Sequence, residues 1–377
     1  MNILIDATNI GGGGGITHLK EIIKAYDLEF PVTLIAQEKI LNQLADYSFL
    51  IKTNHKMLNK TLFHRLFFQL FLIDKFIPKD AIVFSVTGDF LGKHKPVVSM
   101  SQNMLLYERD VWKEIKQPKE IFRFWLNFHK QKIAFKNSDG LIFISNYAKN
   151  YISTQLNLKG KQMTVIHHGI SARFVNHMTL QKPITYYSYN NPFKLIYVST
   201  VHVYKHQWNV VKAVGILREK GFPVSLNLVG GVIFEPAGKK LKETIKLIDP
   251  RNEFIYDHGH LPYSEIDDIY KRSDGIVFAS TCENMPNILI ESMASGKPIA
   301  CSKKQPMPEF IKENAFFFDA SDVNSIATSI ATMLLELNKR ERFVQNNLQE
   351  VTQYNWEKAS KETFSFITQI FNSTDHV

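Results

Sequence analysis

Short apolar runs bounded by turn residues recur along the chain, and segments of helical period separate them. In the first half these runs are Asn2–Asp6, Val32–Ala36, Ala81–Val86, Val97–Ser101, Gly140–Ser145 and Thr164–His168. Short runs of this kind suit strands of a parallel sheet covered on both faces. Helices are predicted between them, at Thr17–Tyr26 and Glu120–Phe135 among others. From Ser171 to Phe193 the rhythm breaks at Lys182-Pro183 and Asn190-Asn191-Pro192, and the stretch reads as a linker. A second series follows: Lys194–Ser199, Val224–Val229, Glu253–Tyr256, Gly275–Ala279, Pro298–Cys301 and Ala315–Phe318. Helices at Trp208–Lys220, Tyr263–Lys271 and Val323–Leu337 alternate with these strands. Two such series predict an α/β chain with two Rossmann-like domains facing across a cleft, ligands sitting at the C-terminal ends of the strands. The predicted domains are residues 1–180 and 193–354. No fixed-period repeat or low-complexity tract interrupts them.

The length of 377 residues agrees with two cores rather than one. Cys282 and Cys301 supply no disulfide framework and no metal-ligand spacing, which fits a reducing compartment. The chain enters a strand at Asn2, so no signal peptide is expected. No apolar run reaches the length of a membrane span; the nearest, Phe67–Ile77, contains Asp74 and Lys75. The expected location is cytoplasmic.

Charge refines this picture. The net +9 falls wholly within the first half, and residues 51–136 hold 16 Lys and Arg against 7 Asp and Glu. Phe63, Phe67, Phe68, Phe71, Phe76, Phe122, Phe124, Trp125 and Phe128 are interleaved with them. Such a face can bind an anionic membrane surface, which would make the protein peripheral. It is equally the pattern of a helical half-core with solvated lysines. Nucleic acid is not expected, since no recognition motif accompanies the charge.

The chemistry concentrates in Thr281–Ser302. A strand leads into an acidic loop with Glu283, and Asn284-Met285-Pro286-Asn287 turns into a helix that runs from about Pro286 to Ser295 and ends at Gly296. Pro is tolerated in a first helical turn, and Gly is favoured just past a helix end. The helix directs its N–H groups and positive dipole end toward the loop, where a diphosphate would fit. Glu291, more than a turn into the helix, can accept hydrogen bonds from hydroxyls, while Ile288, Leu289 and Met293 supply the buried side.

This segment resembles the paired-glutamate motif of retaining glycosyltransferases of the GT-B fold, family 4. Glu283-Asn284-Met285-Pro286, Asn287-Ile288-Leu289-Ile290 and Glu291-Ser292-Met293-Ala294-Ser295-Gly296-Lys297-Pro298-Ile299 follow its order, with Asn and Pro in place of two glycines. The resemblance implies two facing Rossmann-like domains and a C-terminal helix, about 355–377, that crosses back to the first. It implies a nucleotide diphosphate sugar donor, no cofactor and no metal. Glu283 is then the catalytic contact to the donor sugar, and Glu291 holds the ribose. Asn284, Met285, Pro286 and Asn287 line the donor diphosphate. Lys205, at the end of the second domain's first strand, clamps that diphosphate, whereas Thr200 occupies the place of the family's second cation.

In the first domain, the Gly11–Gly15 run resembles the family's glycine-rich loop, with Gly13 and Gly14 toward the donor and Gly15 as a donor-sugar or acceptor contact. Gln102 and Asn103 stand where the family often carries His-Asp, as donor-sugar or acceptor contacts. His167 and His168 read as structural, because neighbours in a strand point apart. Asp257–His260 matches a turn near the donor base, and Glu309 reads as a helix cap. The implied activity is sugar transfer to a glycan or lipid-linked acceptor in bacterial surface polysaccharide synthesis, such as lipopolysaccharide O-antigen or capsule. An epimerase or hydrolase of the same fold and a non-catalytic sugar-nucleotide-binding subunit stay open. So does NAD binding at the glycine run with Glu38, although Ile16 and His18 break its register.

Overall fold

The computed structural model describes residues 1–27, 29–176, 178 and 180–374. The chain divides into two compact units. The first comprises residues 1–109, 116–169 and 354 onward, and the second residues 110–115 and 170–353.

Seven parallel strands form the first unit's sheet: β1 (Asn2–Ala7), β2 (Val32–Ala36), β3 (Leu50–Thr53), β4 (Ala81–Ser85), β5 (Val97–Ser101), β6 (Gly140–Phe143) and β7 (Gln162–Val165). Their order is β3-β2-β1-β4-β5-β6-β7. The apolar runs are buried on both faces, as a doubly covered sheet requires; Ile3, Leu4, Ile5 and Ala7 of β1 are sealed from solvent. Edge strand β3 was not predicted, since Leu50–Thr53 has one fully buried residue and no continuous apolar run. The last strand lies at Gln162–Val165, short of the expected Thr164–His168.

The helices here are α1 (Gly14–Lys24), α2 (Glu38–Leu41), α3 (Leu62–Phe71), α4 (Arg109–Ile115), α5 (Pro118–Asn137) and α6 (Asn146–Leu156), with α4 grouped mainly with the second unit. Helix α1 begins inside the glycine run, three residues before the expected Thr17. Gly13, at φ 61°, takes the N-cap in a conformation that costs glycine little.

Helix α3 is oriented unusually. Phe63, Leu66, Phe67, Leu70 and Phe71 follow helical spacing, and all face outward, Phe63 being 84% exposed. Only Phe68 and Gln69 are buried. Phe68 enters the core with Leu4, Ile35, Leu58 and Ile73. The Gln69 amide donates to both Asp6 carboxylate oxygens, at 3.0 and 3.1 Å, and to Thr8 Oγ1 at 2.6 Å. An aromatic and an amide thus anchor the helix, and its apolar stripe is left uncovered. No helix of the described residues is long and apolar enough to cross a membrane.

The second unit's sheet contains β8 (Phe193–Val198), β9 (Val224–Val229), β10 (Ile255–Asp257), β11 (Gly275–Phe278), β12 (Ile299–Ser302) and β13 (Phe316–Phe318), in the order β10-β9-β8-β11-β12-β13. Its helices are α7 (Gln207–Glu219), α8 (Glu235–Ile248), α9 (Ile266–Lys271), α10 (Asn287–Ala294), α11 (Met307–Ile311), α12 (Val323–Leu335) and α13 (Leu337–Glu350). The expected helix Tyr263–Lys271 starts with a 3-10 turn, Tyr263–Glu265, before α9. Helix α14 (Trp356–Thr374) ends the described chain and packs in the first unit.

The first unit's central segment ends at Gly169. A Cβ on Gly169 would lie 2.3 Å from the Trp356 amide nitrogen, so the chain leaves the first unit through a contact only glycine permits. Phe174, five residues on, is fully buried in the second unit against Tyr263 and Tyr270.

Candidate functional site

Each sheet changes direction once, and in the second unit the change falls between β8 and β11. These strands pair in parallel, with Ile196 beside Ile276. Loops leaving the C-terminal ends of strands at such a switch point open a crevice that ligands use. Residues 199–206 follow β8 and residues 279–286 follow β11, so side chains far apart in sequence meet there. The Thr281 amide donates to the Tyr204 carbonyl at 2.9 Å, and His206 Nε2 lies 3.0 Å from Thr281 Oγ1. Burial, with Lys240 nearby, pushes the His206 imidazole down to about 4, so it is neutral at pH 7. Tyr197 on β8 donates its hydroxyl to the Lys205 carbonyl at 2.6 Å and fixes the turn that carries Lys205.

The result is a direct ion pair between Lys205 Nζ and Glu283 Oε1, their side chains 7% and 16% exposed. The close pairing is a charge-assisted hydrogen bond in a partly dry site, where both its strength and the desolvation it must offset are large.

Helix α10 follows at once. Pro286 is its N-cap, with φ −81° and ψ 78°, and Gly296 just beyond its end has φ 72°. The Asn287 amide donates back to the Met285 carbonyl at 3.0 Å, closing an inverse γ-turn over Pro286. Pro286 has no N–H, and that of Asn287 is taken by this turn. Asn284, Met285 and Pro286 are buried, whereas Asn287 and Ile288 are partly exposed. The buried face of α10 is Leu289, Ile290 and Met293.

Glu291 is 8% exposed, and its Oε1 accepts the Tyr263 hydroxyl at 2.6 Å. Burial raises its carboxyl to about 7; the Tyr263 hydrogen bond and the Arg173 charge pull the other way. The Arg173 guanidinium stacks 3.8 Å from the centre of the Tyr263 ring. Tyr263 and Arg173 were not foreseen: one opens a predicted helix and the other sits near a linker, so neither carries a motif. Thr200, in the place of the absent cation, is exposed, and its carbonyl accepts from Gln207 Nε2 at 2.9 Å. Nearby, a Cβ on Gly230 would fall 2.0 Å from the Ser199 carbonyl, so only glycine fits.

The first unit's expected contacts gather at the ends of β1 and β5. Gln102 Oε1 lies 3.6 Å from where a Gly15 Cβ would stand, and its amide is 3.2 Å from His18 Nδ1. His18 stacks on His168 at 4.6 Å, and His167 packs on Tyr354. The two histidines thus serve separate aromatic contacts. Gly13 caps α1, and Gly14 is its first residue. The Asn103 side chain accepts the Leu105 amide at 2.9 Å and caps a 3-10 turn. Glu309 lies in the first turn of α11.

Residues 185–350 match the family model described as Glycosyl transferases group 1. The matched stretch lies within the second unit, which is thus similar to the group 1 glycosyl transferases. Among curated relatives, the chain is 25% identical over 115 residues to O-antigen chain mannosyltransferase B of Escherichia coli, which covers 30% of each chain. It is 27% identical over 107 residues to sulfoquinovosyl transferase SQD2 of Arabidopsis thaliana, 27% of this chain and 21% of the relative. These matches therefore span less than a third of either relative.

Solved structures match over nearly the whole chain. A sucrose-phosphate synthase from Thermosynechococcus elongatus aligns with TM-score 0.75 and 15% identity, covering 99% of this chain and 100% of that one. Trehalose-6-phosphate synthase OtsA gives 0.73 and 11%, with coverages of 98% and 99%. Anabaena HepE in complex with UDP gives 0.71 and 18%, with coverages of 98% and 100%. At these identities the likeness establishes the fold, which is GT-B.

Proposed function

We propose that this group 1 glycosyl transferase moves a sugar, with retention of anomeric configuration, from a nucleotide diphosphate sugar to a glycan or lipid-linked acceptor in surface polysaccharide synthesis. The observation that carries the reading is the Lys205–Glu283 pair at the β8/β11 switch point, one turn from the start of α10. The donor diphosphate takes over Lys205 as a cationic partner, and the positive end of α10 stabilises charge as the bond breaks. Glu283 then faces the donor sugar and steadies positive charge at the anomeric carbon. The C–O bond to phosphate breaks, the acceptor oxygen bonds on the same face, and its proton passes to the departing phosphate oxygen. Glu291 accepts hydrogen bonds from the ribose hydroxyls. No metal is assigned a role, because Lys205 and the helix end meet the diphosphate charge.

The outward stripe of α3 extends this reading to the membrane. Phe122, Trp125, Leu126 and Ile133 of α5 are also exposed. Lys130 of α5 pairs with Asp89 at 2.6 Å, and the Asp89 charge also acts on Arg65 of α3. Apolar residues on a strongly basic segment suit an anionic lipid surface. The protein is accordingly read as peripheral on the cytoplasmic face of the plasma membrane.

The test is a panel of nucleotide sugars offered with a lipid-linked oligosaccharide, with the product anomer read by NMR. Glu283→Gln keeps an acceptor for Lys205, and Glu291→Ala removes the proposed ribose contact. Each is expected to lower transfer at least about a hundredfold, the scale of losing one electrostatic catalytic group. Wild-type rates in both variants would end the assignment. Product formed without acceptor would indicate an epimerase or hydrolase instead.

A further inference from the structure

The first unit contains a cavity of about 580 Å³ at the C-terminal ends of β1 and β2, lined by Gly11, Lys39, Asn42, Asn59, Lys60 and Arg65 among others. It is formed by local structure. The Gln37 amide donates to the Thr8 and Ile10 carbonyls at 3.2 and 3.1 Å, holding the start of the glycine loop against the end of β2. The Glu38 amide donates to Asn59 Oδ1 at 3.0 Å, and Asn54 Oδ1 accepts from Asn59 Nδ2 at 3.1 Å. These bonds hold the loop that carries Lys60 beside α2. Gly11 leaves its side of the cavity open, with nothing within 4 Å of a Cβ.

Three cations converge there against one carboxylate. Among the described residues, Lys39, Lys60 and Arg65 have no acidic partner at ion-pair distance, whereas other lysines of the first unit, such as Lys52, Lys95 and Lys130, do. Among the described residues Glu38 is the one acid in the cavity wall, with Asn59 Nδ2 3.4 Å from it, and the charge of Asp89 outside the wall also acts on Arg65. Arg65 is half-buried, and its Nε is enclosed without a hydrogen-bond partner among the described residues. An enclosed N–H without an acceptor is costly, and the rest of the half-buried guanidinium stays open to a ligand.

Position indicates the kind of ligand. Arg65 lies on α3, and Lys60 stands just before it. The polar side of α3 therefore borders the cavity, and its opposite side presents Phe63, Phe67 and Phe71 to solvent. Cations beside an exposed apolar helix suit a molecule with an anionic head and an apolar tail.

We propose that this cavity binds the phosphate or diphosphate group of the acceptor, carried on a lipid whose chain lies along the outer face of α3. Lys39 and Lys60 supply mobile point charges, and Arg65 supplies a planar donor pair. Naming the bound molecule the acceptor rests on the transferase reading above, whereas the anion site itself does not.

Calorimetry with inorganic pyrophosphate tests the site in wild type, in Lys39→Gln/Lys60→Gln and in Arg65→Gln. The double variant changes two exposed side chains and is expected to fold normally; its affinity should fall about tenfold or more, as lost charge-assisted bonds imply. Unchanged affinity in the double variant would overturn the site, because the pyrophosphate would then be bound elsewhere. UDP titrated into the same variants should bind as in wild type. Failure of UDP to bind wild type would remove the transferase reading without touching the anion site. Phosphatidylcholine vesicles with and without a polyisoprenyl diphosphate, set against soluble glucose 1-phosphate, identify the source. Tighter binding to the diphosphate-bearing vesicles supports the lipid, and preference for glucose 1-phosphate refutes it.

Discussion

Glu291 shows how a motif can mark a residue without disclosing its ionisation. Its motif position was legible; its ionisation was not, because that depends on burial and on Tyr263 and Arg173, which arrive from other segments. The carboxyl is raised from 4.5 to about 7, chiefly by burial. The folded state therefore holds its proton more tightly than the unfolded state does. Stability contributed by this group is full below about pH 4.5, is lost as pH rises toward 7, and stays constant above. The shift corresponds to about 3 kcal/mol. Glu291→Gln should thus melt higher than wild type at pH 8 and match it at pH 4, as thermal unfolding across pH would show. With Glu291 in the proposed ribose contact, donor binding moves in the opposite direction, since the carboxylate offers both oxygens to hydroxyls. UDP affinity should drop in wild type as pH falls through 7, and the Gln variant should lack that inflection.

At the level of elements, the buried strands were the most legible feature, because a continuous apolar run has one stable placement in a parallel sheet. Helix α3 was the least legible. Its stripe at Phe63, Leu66, Phe67, Leu70 and Phe71 has the spacing of a core-facing helix, and periodicity reports that a stripe exists but not which way it turns. The direction is set by Phe68 and by Gln69, which is drawn inward to the buried Asp6 carboxylate. Opposite consequences follow for neighbouring phenylalanines. Phe63→Ser with Phe67→Ser should leave the melting temperature nearly unchanged, since both rings are exposed. The same pair should lower binding to phosphatidylglycerol vesicles about tenfold or more, because each inserted ring contributes on the order of 1.5–3 kcal/mol. Phe68→Ala should do the reverse, costing about 3–5 kcal/mol of stability through a cavity. Flotation and thermal unfolding of the three proteins separate these outcomes. Equal flotation of wild type and the double variant would refute a lipid role for α3.

Across the whole molecule, the chain completes its first unit last. Residues 354 onward return to the sheet that began at Asn2, a path the local pattern could not show and the family resemblance implied. Helix α14 buries Phe364, Ile367 and Ile370, and Phe364 meets Tyr26 edge-on at 4.6 Å. Ser360 Oγ donates to the Ile22 carbonyl at 2.8 Å. Strand β6 begins with glycine because a Cβ on Gly140 would lie 2.7 Å from Ile370. Losing three buried side chains of this size costs on the order of 5–9 kcal/mol, comparable to the full stability of a domain. Truncation after Gln353 should therefore unfold β1–β7 while leaving β8–β13, whose own residues are complete, protected. Hydrogen exchange read strand by strand distinguishes this from uniform loss. Equal protection of both sheets in the truncated chain would mean that α14 is a lid on the first unit rather than part of its core. UDP binding should survive the truncation if the Lys205–Glu283 site retains its affinity within the second unit alone.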